Sequence, residues 1–210
     1  MDKRSLLLCS CLLLGSAAQA AEGFYVLGSI GQSKVDFKHI SRSDIDAAFF
    51  EANGVSVDSS KLDDTDTGFK LQVGYQFNAN FAVEGGYVDL GQAEYKATLD
   101  GGSGKLTSST KGWNIDGVLT LPVNAGFSLF GKLGFIVAET KAKSSGDLFL
   151  SEHDKVTKTG ENFGLGVSYN FYQGLSARIE AERFFNLGDD NHGIDKYDAD
   201  LYSIGLSYQF

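Results

Sequence analysis

Apolar and polar residues alternate along eight separate stretches of this chain. A period of two is typical of a β-strand, because successive side chains of a strand point to opposite faces. In the stretch from Phe69 to Phe77, for example, apolar side chains alternate with Lys70, Gln72 and two further small or polar residues. The stretches begin near residues 24, 69, 81, 113, 127, 163, 175 and 202. An even number of strands of about ten residues each predicts an all-β fold, an eight-stranded antiparallel closed transmembrane β-barrel.

The connections between the stretches alternate in length. Those after the second, fourth and sixth strands are tight, whereas those after the first, third, fifth and seventh run about 28, 19, 20 and 13 residues. In outer-membrane barrels short turns face the periplasm and long loops face outside. Phenylalanines mark the short-turn ends and predict an aromatic girdle there: Phe24, Phe77, Phe81, Phe127, Phe171 and Phe210. In the first long connection, Ser43 and Gly54 bound a predicted short helix.

The charged residues of the strands share the polar face, which also carries most of the glycines. A soluble sandwich or lipocalin-like barrel alternates in the same way, but it would bury its apolar face. A small membrane barrel does the reverse, with charges in its lumen and apolar side chains towards lipid. We therefore predict a lumenal charge network that plugs the barrel, formed by Lys70, Glu84, Asp116, Lys132, Arg178, Glu180 and Glu182.

The N-terminus predicts export from the cytoplasm. Lys3 and Arg4 precede an apolar run, and Ala18-Gln19-Ala20 is a typical cleavage site. We therefore predict a signal peptide over residues 1–20 and an outer-membrane barrel domain over residues 21–210. Both cysteines lie in the signal peptide, so the mature chain has no thiol for a disulfide, a metal site or catalysis.

The strands resemble those of the small outer-membrane barrels, the porin-like family of the OmpA transmembrane domain and OmpX. The resemblance covers the mature chain and is carried by residues 68–77, 83–91, 175–180 and the terminal strand. It implies lumenal ion pairs at Glu84, Lys132 and Arg178, whereas Val118 stands where the family has a second central lysine. The ending with Gly205, Tyr208 and Phe210 resembles the signal by which the outer-membrane assembly machinery recognises the C-terminal strand.

Charge and composition limit the possible partners. Without residues 1–20 the chain keeps 16 basic and 26 acidic residues, so nucleic-acid binding is not expected. Lys141 and Arg183 lie near the outer strand ends and are predicted to contact lipopolysaccharide phosphates. The acidic runs Asp63–Asp66 and Asp189–Asn191 do not match a calcium-binding loop, and no cofactor is expected.

Three functions follow from this pattern. The first is a structural surface barrel of the bacterial outer membrane, with loops that serve envelope integrity or adhesion through a host or surface ligand. The second is a small-conductance ion pore through the lumen. The third is a lipid-modifying enzyme. We do not expect it, because His39, His153 and His192 lie in loops or at a strand end and none lies on a lipid-facing strand beside a serine.

Overall fold

The computed structural model describes residues 22–36, 43, 47, 57–99, 102–146, 153–189 and 194–210, almost all of them in strands. Ser43 and Ala47 are helical, while the rest of the predicted helix and the predicted signal peptide lie outside the described residues. Within the described ranges, no helix is long and apolar enough to cross a membrane.

Nine strands form one antiparallel sheet that closes on itself. They are β1 (Gly23–Asp36), β2 (Val57–Asp63), β3 (Thr65–Gln76), β4 (Phe81–Leu99), β5 (Gly102–Asn124), β6 (Phe127–Gly146), β7 (His153–Tyr172), β8 (Leu175–Asp189) and β9 (Ile194–Gln209). The order is β2-β4-β3-β1-β9-β8-β7-β6-β5, and pairing of β4 with β5 closes the ring. Since β2 and β3 both lie along β4 and are separated only by Asp64, they form one side of the barrel. The predicted eight-stranded closed barrel is therefore confirmed.

The apolar face of the strands points outward. Trp113 and Leu133 are each 67% exposed, and the six girdle phenylalanines are between 48% and 74% exposed. All six lie at the end of the barrel with the short turns, where β1 also begins at Gly23. This exposed apolar surface is what a hydrocarbon layer requires, and it is too large for a protein surrounded by water.

The predicted loop lengths are wrong at the opposite end. The links after β4, β6 and β8 shrink to residues 100–101, 147–152 and 190–193, and the first connection shrinks to residues 37–56. The strands continue well past the membrane-facing segments, where their outward side chains become polar or charged. Outward polar side chains break the alternation of apolar and polar residues from which the strands were predicted. The strand segments beyond the bilayer boundary were therefore predicted as loops.

Two bulges shift the inward phase of the strands at this boundary. In β4 the pairing with β5 slips between Asp89 and Gln92, at Gly91 with φ of 73°. A Cβ atom on Gly91 would lie 2.7 Å from the Asp66 carboxylate, which accepts a 2.8 Å hydrogen bond from the Gln92 amide. In β8 the register with β9 slips after Phe184, next to Asn186 with φ of 58°. Each bulge turns the following apolar side chains towards the lumen.

An arginine substitution is expected to cost more folding free energy on the outward face of β7 than on its inward face. Val167→Arg places a charge at the middle of the apolar outer surface and should cost roughly 2–4 kcal/mol of folding free energy in lipid. Ser168→Arg is the control, since Ser168 is half-buried and faces the lumen. It should cost less, even though Arg178 lies opposite Ser168 on β8. Urea unfolding in vesicles measures both changes, and equal losses would contradict the assignment of the faces.

Candidate functional site in the barrel lumen

All seven residues predicted for the lumenal network lie together in the interior of the membrane-spanning half. They project from β3, β4, β5, β6 and β8, and each is 7% exposed or less. Every one occupies an inward position of its strand, because the strand pleat alternates and the outward positions are apolar. We call Lys70, Glu84, Asp116, Lys132, Arg178, Glu180 and Glu182 the lumenal network.

Two lysines and two glutamates form the centre of the lumenal network. Lys70 donates hydrogen bonds of 2.8 Å to Glu180 and 2.6 Å to Glu182. The Lys132 ammonium lies 2.6 Å from Glu180 and 2.8 Å from Glu182. Each carboxylate therefore contacts both ammonium groups, which offsets the large cost of removing four charges from water.

Amide side chains complete the pairing of the acids. Asn162 donates to Asp116 at 2.6 Å and to Glu182 at 2.9 Å. Asn114 also donates to Asp116, at 2.7 Å, and accepts a 3.3 Å hydrogen bond from Gln72. The lumenal network predicted from the sequence did not include Asn114 and Asn162. Their inward positions in the alternation of β5 and β7 are the signal that could have identified them.

Arg178 and Glu84 form a second group nearer the short-turn end. Arg178 donates to Glu84, and Tyr25 donates its hydroxyl to the same carboxylate oxygen at 2.7 Å. The guanidinium also lies over the Phe130 ring, 4.1 Å from its centroid. Glu180 and Glu182 pair with the lysines instead, so Glu84 is the acid that holds Arg178.

Buried apolar side chains lie in the lumen on both sides of the lumenal network. Towards the short-turn end lies the lower apolar layer, formed by Tyr25, Ala82, Val118 and Phe130. Towards the opposite, outer end of the barrel lies the upper apolar layer, formed by Val35, Val88, Leu90, Ala93, Ile136, Ala138, Phe184, Leu187, Tyr197, Ala199 and Leu201. The Tyr197 hydroxyl forms hydrogen bonds with the hydroxyl groups of Thr110 and, at 2.7 Å, of Thr140. Sequence reasoning missed the upper apolar layer. Leu187 follows a bulge and Tyr197 and Ala199 lie in a predicted loop, whereas Ile136 lies at an inward position of a predicted strand and was not singled out.

The predicted lipopolysaccharide contacts lie on the outer surface beyond the membrane-facing segments. Arg183 pairs with Asp36 at 2.9 Å, Asp198 at 3.3 Å and Asp200 at 3.2 Å. Lys141 pairs with Glu139 at 3.0 Å. The structure thus joins Arg183 to three carboxylates, and contact of either residue with lipopolysaccharide stays a prediction.

The predicted assembly residues lie at the short-turn end of β9. The rings of Tyr208 and Phe210 meet edge to face at 5.2 Å, and the Phe210 amide donates to the Phe24 carbonyl. A Cβ atom on Gly205 would lie 2.7 Å from the Gly28 carbonyl oxygen, so close strand packing requires glycine there. Their recognition by an assembly machinery stays a prediction.

The described residues contain no group of three metal-ligating side chains that could hold a metal ion. In the first acidic run, Asp63 pairs with Lys61 and Asp66 accepts hydrogen bonds from backbone amides. His153 begins β7, while His39 and His192 lie outside the described residues. The lumenal charges are therefore the chemically distinctive cluster of the described chain.

Removing one partner of the Arg178–Glu84 pair should destabilise the barrel strongly. Arg178→Ala or Glu84→Ala leaves a buried charge without its partner and is expected to cost roughly 3–5 kcal/mol. The double change should cost clearly less than the two single costs added together, measured by urea unfolding in vesicles. The exposed pair Lys34–Asp64, 3.9 Å apart, is the control and should show coupling of about 0–1 kcal/mol. Additive costs for Arg178 and Glu84 would show that the pair does not form.

Comparison with known proteins agrees with this architecture. The family model described as the outer membrane protein beta-barrel domain matches residues 5–210. Outer membrane protein A of Shigella flexneri is 32% identical over 139 residues, which cover 65% of this chain and 38% of the relative. The chain thus spans well under two thirds of the length of this curated relative.

Solved structures share the fold at low identity. Neisserial surface protein A aligns with a TM-score of 0.55 and 14% identity, covering 90% of this chain and 97% of that one. Ail, the attachment invasion locus protein of Yersinia pestis, aligns in its complex with the heparin analogue sucrose octasulfate. Its TM-score is 0.50 with 23% identity, covering 90% of this chain and all of Ail. The chain belongs to the outer membrane protein β-barrel domain family and is an integral protein of the bacterial outer membrane.

Proposed function

We propose that this protein is a sealed structural barrel of the outer membrane, which strengthens the envelope and presents its outer end to the surroundings. The observation that carries this proposal is the layering of the lumen. The lumenal network lies between the upper and lower apolar layers, and all three are buried. A barrel filled in this way is a rigid structural element with no open path through it.

An ion would have to lose its water to cross either apolar layer. In the upper layer, Val88, Ile136 and Phe184 are 0% exposed and Leu187 and Leu201 are likewise buried from water. Moving a bare ion into such surroundings is very costly, and apolar constrictions block conduction by excluding water. An eight-stranded barrel is also only wide enough for its own side chains. These points favour a plugged lumen over the small-conductance pore.

The outer end is the part of the molecule that contacts other surfaces in this proposal. Rigid barrels commonly carry binding residues on their connecting segments. The Ail structure contains sucrose octasulfate, which shows that a barrel of this fold can hold an anionic saccharide. Adhesion through a surface ligand is therefore part of the proposal, whereas a catalytic role is not.

Planar-bilayer recording tests whether the lumen is sealed. The refolded mature chain should give no steady ohmic current, because both apolar layers exclude water. Its folding is checked by the migration shift of unheated protein on denaturing gels. A variant with both layers opened, Phe184→Ala, Leu187→Ala and Phe130→Ala together, controls for insertion and should conduct in brief or steady steps. A steady current from the unaltered chain, matching that of the opened variant, would contradict the proposal.

A further inference from the structure

The lumenal network contains one more acid than it contains bases. Its cations are Lys70, Lys132 and Arg178, and its acids are Glu84, Asp116, Glu180 and Glu182. If all seven side chains are ionised, three positive charges against four negative ones leave a net charge of −1. The remaining buried carboxylate of the described residues, Asp198, pairs with Arg183 at the outer end of the barrel. A buried charge without a partner is very costly, so one further positive charge is expected in the lumen.

The close ion pairs match the three cations with three of the acids. They join Lys70 and Lys132 to Glu180 and Glu182, each at 2.6 or 2.8 Å, and Arg178 to Glu84. Asp116 is the fourth acid. The Lys132 ammonium lies 3.4 Å from the Asp116 Oδ2 atom, farther than from either glutamate. Asp116 therefore has no cation of its own.

Neutral amides and further acids surround Asp116. Asn114 and Asn162 donate hydrogen bonds of 2.7 Å and 2.6 Å to its two oxygens. The Asn162 nitrogen also donates to Glu182 at 2.9 Å, so this nitrogen lies between two carboxylates. Glu84 lies directly opposite Asp116 on β4, and like charges that face each other across a sheet are destabilising. The amides supply hydrogen bonds to Asp116 but no positive charge.

The surroundings of Asp116 favour a proton over a metal ion as the missing charge. Asp116 is 1% exposed, and a Cβ atom on Gly134 of β6 would lie 2.2 Å from its Oδ1 atom. The carboxyl group thus packs directly against the neighbouring strand, and the described part of the chain holds no cluster of three metal-ligating side chains. A proton needs no coordination shell and only one acceptor oxygen.

Asn162 can supply that acceptor oxygen. Its Oδ1 atom is buried and has no hydrogen-bond partner among the described residues. An asparagine amide presents an oxygen and a nitrogen of nearly equal size, so it can turn over in place. In the turned orientation, Asn162 accepts a hydrogen bond from a protonated Asp116. Glu182 keeps its contacts with both lysines when the amide turns.

We propose that the lumenal network binds one proton, which Asp116 holds in the folded barrel at neutral pH. The charged or titratable groups that share the interior with Asp116 are the other six members of the lumenal network, on β3, β4, β6 and β8, and Tyr25 of β1. With the proton bound, three cations face three anions. The proposal goes beyond a structural role, because it makes the stability of the barrel depend on pH.

Urea unfolding in vesicles tests the proton through its effect on stability. Above about pH 5 an aspartate in the unfolded chain is ionised, so the folded barrel binds one proton more than the unfolded chain. Stability should therefore fall as the pH rises, with the unfolding equilibrium constant increasing about tenfold per pH unit until Asp116 ionises in the folded barrel. Asp116→Asn replaces the protonated acid by a neutral side chain of the same shape and should remove this slope. The difference between the two chains cancels the titration of all other groups.

Asp64→Asn is the matched control. The Asp64 side chain is 38% exposed and lies 3.9 Å from the Lys34 ammonium at the surface. This carboxylate is ionised in the folded and the unfolded chain at neutral pH, so its replacement should leave the pH slope unchanged.

Infrared spectroscopy of the folded barrel in vesicles detects the proton directly. A protonated carboxyl group absorbs at a higher frequency than an ionised carboxylate, and exposed aspartates and glutamates are ionised at neutral pH. The unaltered barrel and Asp64→Asn should each show one protonated carboxyl group, whereas Asp116→Asn should show none. The spectrum of the unaltered barrel decides the question even if Asp116→Asn folds poorly.

The absence of a protonated carboxyl group in the unaltered barrel would overturn the proposal, as would equal pH slopes for the unaltered chain and Asp116→Asn. A protonated carboxyl group that persists in Asp116→Asn would place the proton on another acid and contradict the assignment. Stability that depends on the concentration of sodium or potassium, without the pH slope, would overturn it in favour of a bound metal ion. Planar-bilayer conductance is measured separately, so failure of the sealed lumen and failure of the proton site are distinguishable.

Discussion

A hydrocarbon layer offers no hydrogen-bond partner to a backbone amide or carbonyl, and the rest of this structure depends on that constraint. Every strand must pair on both sides within the membrane, and β1 accordingly lies between β3 and β9 while β4 pairs with β5. The hydrocarbon layer also requires apolar side chains on the outer surface of the barrel. The inward positions then receive the polar residues, and Lys70, Lys132 and Arg178 are retained only because buried acids surround them.

The arrangement reverses where the strands leave the membrane. Beyond the bulges at Gly91 and Asn186, water surrounds the barrel, so polar side chains point outward and apolar ones fill the interior. The protein is therefore an inverted barrel in its lower half and has the core of a soluble barrel in its upper half. One continuous set of strands serves both solvents, and the upper apolar layer lies between the lumenal network and the outer end of the barrel.

The sequence predicted much of the lower half and little of the upper half. Strict alternation identified the membrane strands and the seven lumenal charges, because a strand has only two faces. We expected Glu84 to hold Arg178, with Glu180 and Glu182 as alternative acids, and the structure has Arg178 donating to Glu84. Alternation alone does not give this pairing, because it depends on register between strands distant in sequence. Tyr197 and Leu201 were not recognised as core residues, because strand extensions in water lack an outward apolar face. The side-chain partners and the core residues beyond the membrane are set by strand register and by the bulges, which alternation alone does not predict.

Solvent accessibility along β4 tests the reversal most directly, because residues 21–210 contain no cysteine and each single-cysteine variant therefore reports one position. If the faces reverse, a cysteine at Tyr87 should be quenched by lipid-borne probes and one at Glu94 should react with a water-soluble maleimide. Cysteines at Leu90 and Tyr95 should resist both, since those side chains are 1% and 2% exposed. Rapid maleimide labelling at Leu90 and Tyr95 in the folded barrel would show a water-filled upper lumen and would contradict the sealed, two-solvent barrel.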